Sequence, residues 1–352
     1  MAIKVLIVDD SALIRRILTE VIDAQEDLSV VGSAPDPFVA RTMIKSLNPD
    51  VLTLDVEMPK MNGLDFLEKL MKLRPMPVLM ISTLTAKSSA VTIQALSLGA
   101  VDFITKPQMN QMQEMRDYGE IIADKIRAAA SAKIKKVNSV SDVIRPKKSV
   151  LIANSTISSE KLIAIGASTG GTEAINHFLL SMPEDCPPIV ITQHMPAGFT
   201  ASFSTRLNNN CAITVKEGEH NERIKAGCAY IAPGGSHMLV SKRGGHYYTQ
   251  LNKKDPVNRH RPSVDVLFDS VALCAGEQAL GIMLTGMGKD GAQGLLKMKQ
   301  AGSYNFSQSE DSCVVYGMPK EAVKAGGVNQ VEDLNNIAEA VLQYLVKYCT
   351  DE

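Results

Sequence analysis

The sequence predicts two α/β domains joined by a linker, each built on a sheet of mainly parallel strands. The chain has 352 residues, a length that favours two domains. In residues 3–128, short apolar runs alternate five times with helix-like segments, which is typical of a doubly wound parallel sheet. A second series of such elements begins at Lys161. We therefore expect one domain at 1–128, a linker at 129–160 and a second domain at 161–352.

The elements of the two domains follow from this patterning. The last helix of the first domain is predicted from about Met109 to Ala130. The Ser- and Lys-rich linker fits a solvated spacer better than a positively charged docking patch. In the second domain, Gly244-Gly245 between two strand-like runs predicts an antiparallel hairpin. The other predicted strands are 161–166, 189–193, 212–216, 228–232, 279–284 and 303–307. The predicted helices are 172–180, 198–208, 263–275, 290–301 and 331–348.

Composition narrows the class of protein. A hydrophobic content of 45% and a formal net charge of −1 favour a soluble globular protein over a disordered or nucleic-acid-binding one. No apolar run approaches the length of a membrane span, and the first residues predict a strand rather than a signal peptide. The six cysteines are scattered without zinc-site spacing, so we expect reduced thiols. We expect a cytoplasmic protein with no nucleic-acid partner and no membrane insertion.

Five polar residues lie at the carboxyl ends of predicted strands of the first domain, where open α/β sheets place their ligands. They are Asp9, Asp10, Asp55, Ser82 and Lys106. Three converging carboxylates repel one another unless a cation lies between them, and oxygen ligands suit Mg²⁺. Asp55 could then act as a nucleophile toward a phosphoryl group, with Ser82 and Lys106 binding its oxygens. Each aspartate alone is more simply an ordinary turn or N-cap residue, but all five together favour a site.

Residues 1 to about 128 resemble the receiver domain of two-component response regulators. The matching residues are the Asp9-Asp10 pair, Asp55 followed by Met58-Pro59 and Gly63, Ser82, and Lys106-Pro107. The resemblance implies Mg²⁺-dependent phosphorylation of Asp55 by the phosphohistidine of a sensor kinase. Many receiver domains carry Thr where this chain has Ser82, and Ser supplies the same hydroxyl.

Ser168 is the candidate nucleophile of the second domain. It lies where an apolar run, Leu162 to Ile165, meets a Gly-Ala-Ser-Thr-Gly-Gly turn and then a helix-like segment. Such a turn can hold a nucleophilic hydroxyl and part of an oxyanion hole, because the helix N-terminus offers free N–H groups. Gly166-x-Ser168-x-Gly170 also fits the nucleophile-elbow pattern. Taken alone, however, it is more often only a tight turn.

A base and an acid are available at neighbouring strand ends. His194 follows the apolar run that comes after the Ser168 helix, so adjacent parallel strands would bring the two residues together. Asp290 follows a later strand and a glycine-rich loop, and opens a helix. Alone it fits a plain N-cap, but beside Ser168 and His194 it fits the acid that orients the base.

The remaining histidines are weaker candidates. His237 and His246 lie in the predicted hairpin and fit surface positions, and His177 in mid-helix fits a surface or packing role. His260 could bind substrate but follows no strand. The order serine, histidine, aspartate matches neither α/β-hydrolases nor chymotrypsin-like or subtilisin-like enzymes. Dinucleotide binding is disfavoured because Ser168 stands where the second fingerprint glycine is required, and the P-loop pattern is absent.

Residues 161 to about 349 resemble the catalytic domain of chemotaxis protein-glutamate methylesterases, the CheB family. The motifs that carry this resemblance are Gly166-Ala-Ser-Thr-Gly-Gly171, Gln193-His194-Met195-Pro196, Ala232-Pro233-Gly234-Gly235, His260-Arg-Pro-Ser263 and Thr285-Gly-Met-Gly-Lys-Asp290-Gly. The resemblance implies that Ser168 is the nucleophile, His194 the general base and Asp290 its orienter. It further implies an oxyanion hole formed by the backbone N–H of Met287, with Thr169 beside the nucleophile.

The two resemblances together imply a phosphorylation-activated serine hydrolase. It would remove methyl groups from methylglutamate residues of methyl-accepting chemoreceptors and deamidate certain receptor glutamines, with a chemotaxis histidine kinase as phosphodonor. Hydrolysis itself would need no cofactor. Two other classes stay open: a response regulator with a DNA-binding output domain, and a phosphate-sink protein without catalysis. The first would need a small basic helix-turn-helix module, which the α/β pattern disfavours. The second requires an activity assay to exclude it.

Overall fold

The computed structural model describes residues 2–59, 61–106, 112–134 and 161–350. The chain divides into two compact units, Met1–Val143 and Ile144–Glu352. Most of the segment predicted as a linker, including 135–160, lies outside the described residues, so the predicted domain limits stay predictions. Among the described residues, no helix is both long and apolar enough to cross a lipid bilayer.

The first unit contains the five parallel strands that the sequence predicts. The strand order is β2-β1-β3-β4-β5, and every described pairing is parallel. The strands are β1 (Ile3–Val8), β2 (Leu28–Ala34), β3 (Val51–Asp55), β4 (Val78–Ser82) and β5 (Asp102–Thr105). The helices are α1 (Ala12–Asp23), α2 (Pro37–Leu47), α3 (Gly63–Leu73), α4 (Ala86–Ser97) and α5 (Met112–Ser131).

Burial explains why these segments form strands. Every residue of β3 and β4 is buried, and four of the six residues of β1 are buried. Continuous apolar runs of this kind are typical of parallel strands covered by helices on both faces. Because successive strands run parallel, their carboxyl ends all lie at one edge of the sheet. That edge carries Asp9, Asp55, Ser82 and Lys106.

The second unit has a seven-stranded parallel sheet and a separate antiparallel hairpin. The strand order is β14-β13-β12-β6-β7-β9-β8, and the hairpin pairs β10 with β11. The strands are β6 (Leu162–Ala167), β7 (Ile189–Gln193), β8 (Thr214–Glu217), β9 (Cys228–Ile231), β10 (His237–Arg243), β11 (His246–Asn252), β12 (Ala279–Met283), β13 (Tyr304–Gln308) and β14 (Gln330–Glu332). The helices are α6 (Gly171–Leu179), α7 (Phe199–Asn210), α8 (Val264–Ala275), α9 (Ala292–Gln300), α10 (Met318–Lys324) and α11 (Leu334–Thr350).

The predicted elements of this unit are all present, including the hairpin turn at Gly244-Gly245. Three short elements were not predicted: the seven-residue helix α10, the three-residue strand β14 and a 3₁₀ turn at Gly276–Gln278. All three are too short to show a clear hydrophobic period, so the surrounding structure decides their conformation.

The position of β6 determines where a ligand can bind. From β6 the chain continues to β7, β8 and β9 on one side of the sheet, and later to β12, β13 and β14 on the other. Open α/β sheets bind ligands where the strand order reverses in this way, beyond the carboxyl ends of the strands. β6 leads to Ser168, β7 to His194 and β12 to the loop that carries Asp290. The fold therefore brings the three candidate residues to one crevice.

Candidate active site and phosphoacceptor site

The backbone of Ser168 is held from several directions. Its N–H donates to the carbonyl of Thr285 at 3.1 Å. Its carbonyl accepts from the Gly171 N–H at 2.7 Å and from Nε2 of Gln193 at 2.9 Å. Gly170, at φ 77°, turns the chain into α6. Ser168 as a whole is 9% exposed, so these contacts hold a buried backbone in place at the carboxyl end of β6.

Glycine at position 286 is required for this arrangement. A Cβ atom on Gly286 would lie 2.8 Å from the Cβ of Ser168 and 3.0 Å from its backbone nitrogen. It would also collide with Sδ of Met318. Any larger residue would therefore push the segment after β12 away from the serine. The glycine in the Thr285-Gly-Met motif serves close packing against Ser168.

His194 lies beside Ser168 through strand register. Ala167 pairs with Gln193, and the backbone N–H of His194 donates to the carbonyl of Ala167 at 3.2 Å. The imidazole is 6% exposed, and its Nε2 lies 2.7 Å from Oδ2 of Asp290. Among the described residues, its buried Nδ1 has no hydrogen-bond partner. With Nε2 donating to the carboxylate, Nδ1 is the nitrogen left to accept a proton.

Asp290 is saturated with hydrogen bonds. Besides His194, its carboxylate accepts from four groups: the Ser263 hydroxyl at 2.8 Å, Nδ2 of Asn258 at 2.7 Å, and the backbone N–H groups of Val264 at 2.7 Å and Asp265 at 3.2 Å. Burial raises the pKa of this carboxyl, but the hydrogen bond and charge of His194, with those from Asn258 and Val264, outweigh it and hold the pKa well below its usual range. Asp290 therefore stays ionised beside the imidazole.

The helix that Asp290 caps is not the one that the sequence indicates. Helix α9 begins at Ala292, and its N-cap is Gly291 at φ 87°. The carboxylate instead accepts from N–H groups in the first turn of α8, whose N-cap, Ser263, makes no side-chain cap bond to its own helix. A carboxylate at a helix N-terminus is stabilised by the helix dipole and by free amide donors.

Two histidines differ from the sequence-based expectation. His237, expected at the surface, is 1% exposed. Its Nε2 pairs with the carbonyl of Asp255 at 3.0 Å, and its Nδ1 accepts from the Ser263 N–H at 3.2 Å. The surface interpretation was wrong because the start of β10 packs beneath the loop that leads into α8.

His260, which follows no strand, stacks on the ring of His194 with a centroid distance of 3.6 Å. The feature of the sequence that could have identified His260 as a residue of the site is its motif, His260-Arg-Pro-Ser263.

The two residues predicted for the oxyanion hole lie near Ser168: Thr169 follows it in the chain, and Met287 follows Gly286, which packs against it. Met287 directly follows Gly286, and no acceptor for its backbone N–H is found among the described residues. Thr169 is 3% exposed, and its carbonyl accepts from the Thr285 hydroxyl at 3.1 Å. These contacts fix the backbone on either side of the crevice. The catalytic roles of Met287 and Thr169 stay predictions.

In the acidic site of the first unit, Lys106 is the cation that forms ion pairs with the carboxylates among the described residues. Oxygens of Asp9, Asp10 and Asp55 lie within 4.8 Å of one another. Nζ of Lys106 lies 2.8 Å from Oδ2 of Asp55 and 3.1 Å from Oδ2 of Asp9. Burial, aided by the charge of Asp9 and opposed by Lys106, raises the pKa of Asp55 to about 6. Burial also raises the pKa of Asp9. The site is therefore short of positive charge, and its oxygen donors suit Mg²⁺.

Ser82 is fully buried at the end of β4, one strand from Asp55. Its hydroxyl accepts from the hydroxyl of Thr92 on α4 at 2.8 Å and donates to the carbonyl of Thr83 at 3.3 Å. In this structure the Ser82 hydroxyl is therefore bound to α4 and to its own loop. A role at the phosphoryl group would require it to exchange these partners.

The two sites define the class of protein: a response regulator with an enzymatic output domain. The response regulator receiver domain profile matches residues 5–117, and the CheB methylesterase profile matches residues 163–341. The chain belongs to the CheB methylesterase family.

Similar proteins cover nearly the whole chain. A protein-glutamate methylesterase/protein-glutamine glutaminase of Methylobacillus flagellatus is 62% identical over 98% of this chain and 97% of its own length. One from Cupriavidus metallidurans is 57% identical over 98% of this chain and 97% of its own length. The crystal structure of the Thermotoga maritima CheB methylesterase catalytic domain is 37% identical, with a TM-score of 0.51, over 53% of this chain and 98% of that one.

Proposed function

We propose that this chain is a phosphorylation-activated serine hydrolase of bacterial chemotaxis. It removes methyl groups from methylglutamate residues of chemoreceptors and deamidates specific receptor glutamines, which serves adaptation. The observation that carries the proposal is the His194–Asp290 pair, 2.7 Å apart, at the strand end next to Ser168. The names of the full-length relatives supply the substrate class.

The chemistry follows from the two nitrogens of His194. Nε2 is held by Asp290, so Nδ1 accepts the proton as the Ser168 hydroxyl attacks the ester carbonyl. The tetrahedral intermediate then expels methanol, which takes the proton back from His194. Water attacks the acyl-enzyme by the same route and releases the glutamate. A glutamine side chain gives the same acyl-enzyme, with ammonia as the leaving group.

The groups around Ser168 stabilise the intermediates. Asp290 stays ionised and balances the charge that His194 gains when it accepts the proton. The backbone N–H of Met287, next to the serine through Gly286, donates to the developing oxyanion, and Thr169 completes the wall of this pocket. Hydrolysis needs no cofactor in this scheme.

The first unit supplies control. Asp55 accepts a phosphoryl group from the phosphohistidine of a chemotaxis histidine kinase. Asp9, Asp10 and Asp55 would hold Mg²⁺, which would offset the negative charge of the phosphoryl oxygens and carboxylates. Lys106 then binds one phosphoryl oxygen, and Ser82 gives up its bond with Thr92 to bind another. Phosphorylation raises activity because the phosphoryl group stabilises one of two conformations. The protein acts in the cytoplasm, inserting in no membrane and binding no nucleic acid.

The test is methanol release from membranes that contain methylated chemoreceptors, with and without a small phosphodonor and Mg²⁺. We expect Ser168→Ala to abolish release, while the control Ser181→Ala, at the end of α6, behaves as wild type. We expect Asp55→Asn to retain basal release but lose stimulation by the phosphodonor. Chelation of Mg²⁺ should abolish the stimulation and leave basal release unchanged.

The alternatives are separated by the same assay. No release by the wild type, with Asp55 still phosphorylated, would favour a non-catalytic phosphate sink or a different ester substrate. Release that survives Ser168→Ala would reject the serine mechanism. Loss of Asp55 phosphorylation in Ser168→Ala would instead indicate misfolding, and near-native circular dichroism is the control for that outcome.

A further inference from the structure

One contact in the active site has no part in the mechanism described so far. The imidazole of His260 lies parallel to that of His194, with ring centroids 3.6 Å apart and an angle of 10° between the planes. The His194 ring is 6% exposed, and that of His260 is partly buried. One face of the proposed general base is therefore covered by a second flat ring.

The bond to Asp290 leaves the plane of the His194 ring weakly restrained. The ring turns about its Cβ–Cγ bond, a torsion with broad preferences in histidine. Nε2 lies closer to this axis than Nδ1 does, so a hydrogen bond at Nε2 resists turning less than one at Nδ1 would. In this protein Asp290 holds Nε2. A given rotation of the ring about the Cβ–Cγ bond therefore displaces the reactive Nδ1 farther than it displaces Nε2. The ring needs a further restraint on its face.

A rigid turn carries His260 to that face. Val257 and His260 exchange two backbone hydrogen bonds, at 3.1 and 2.9 Å, around a two-residue loop. Asn258 and Arg259 in the loop have φ values of 53° and 66°, the positive values of a type I′ turn. Nδ2 of Asn258 also donates to Asp290 at 2.7 Å. The same turn therefore contacts the acid through Asn258 and the base through His260.

We propose that His260 is a positioning residue for the general base: its ring fixes the plane of the His194 imidazole so that Nδ1 stays directed at Ser168. This inference rests on the proposed function of Ser168 and His194. It assigns His260 no proton transfer and no substrate contact. The requirement is a flat ring at position 260, not a titratable one.

The experiment compares substitutions at position 260 that separate flatness from imidazole chemistry. Methanol release from methylated receptor membranes is measured with full-length protein and saturating phosphodonor, to obtain kcat and KM for His260→Ala, His260→Leu and His260→Phe. We expect Ala and Leu to lower kcat by about tenfold to a hundredfold, the cost of a misplaced catalytic group. KM should stay within about twofold, and Phe should restore kcat to within about threefold of wild type.

Two controls make the outcome specific. His246→Ala, at an exposed histidine in β11, should leave kcat unchanged. Ser168→Ala tests the proposed function separately: activity that survives it rejects the mechanism itself. If Ser168→Ala is inactive, wild-type kcat in His260→Ala overturns only the positioning role. A His260→Phe variant as impaired as His260→Ala, with an unchanged melting temperature, also overturns it, because the imidazole itself would then be needed.

Discussion

Two buried carboxylates, Asp55 and Asp290, lie at the carboxyl edges of the parallel sheets of the two domains, yet their pKa values are shifted in opposite directions. Asp55 accepts one backbone N–H, from Glu57 at 3.3 Å, and the ammonium of Lys106, and lies beside the like-charged Asp9. Its pKa is raised to about 6. Asp290 accepts from five donors, and its pKa is lowered. The number of donors, more than burial, sets the sign of the shift.

The difference matches what each site has to do. A carboxylate with too few donors gains stability when a cation and then a phosphoryl group bring new partners, so Asp55 is suited to change its state. A saturated carboxylate gains nothing from a new partner and resists protonation, so Asp290 is suited to remain constant while His194 cycles. In each domain the site lies at the carboxyl edge of a parallel sheet, so the fold alone does not determine which of the two roles a carboxylate takes.

The largest effect should come from removing the negative charge of Asp290. We expect Asp290→Asn to lower kcat for methanol release by about 10⁴-fold, because the amide cannot balance an imidazolium and favours the wrong tautomer. Phosphorylation of Asp55 should be unchanged, and this serves as the control. A loss of less than about tenfold would mean that Asp290 serves α8 rather than the base.

The comparison also shows what the sequence could and could not predict. Each strand end is a local feature, so the positions of Asp55 and Ser168 follow from the pattern of apolar runs. The donors of Asp290 come from Asn258, Ser263 and the first turn of α8, which precede it by 25 or more residues. Local patterning therefore assigned Asp290 to α9, the helix that follows it. His260 was undervalued for the same reason: its partner, His194, is close only in the folded chain.

The second effect concerns stability and has the opposite sign in the two sites. Asp55→Asn should stabilise the first domain at pH 7 in the presence of a chelator, by up to about 3 kcal/mol at 1.36 kcal/mol per pKa unit. Asp290→Asn should destabilise the second domain by about 3 kcal/mol or more, since it breaks a buried pair. Calorimetric unfolding of the full-length variants measures both changes.

The pH dependence of the unfolding free energy distinguishes the destabilising effect of Asp55 from the stabilising effect of Asp290. The folded pKa of Asp55 lies above its unfolded value, so wild-type stability falls as the pH rises from about 4 to about 6, and the gain from Asp55→Asn appears over that window. The folded pKa of Asp290 lies below its unfolded value, so its contribution is full above about pH 4 and is lost as the pH falls through the folded pKa. A destabilising Asp55→Asn at pH 7 would show that Lys106 outweighs burial.

The smallest effect should come from removing a single donor from the saturated carboxylate. Ser263→Ala deletes the hydroxyl that donates to Oδ1 of Asp290 at 2.8 Å and leaves four donors in place. We expect a loss of about 1–2 kcal/mol in the stability of the second domain, typical of one hydrogen bond to a charged group. kcat should fall by less than about threefold, because Oδ2 still binds His194 and the carboxylate stays ionised.

A fall in kcat close to that of Asp290→Asn would mean that the donors act as one cooperative network, in which each is needed to hold the charge. Measurement of kcat and of the unfolding free energy on the same variant distinguishes the two cases, since the first predicts a change in stability with little change in rate.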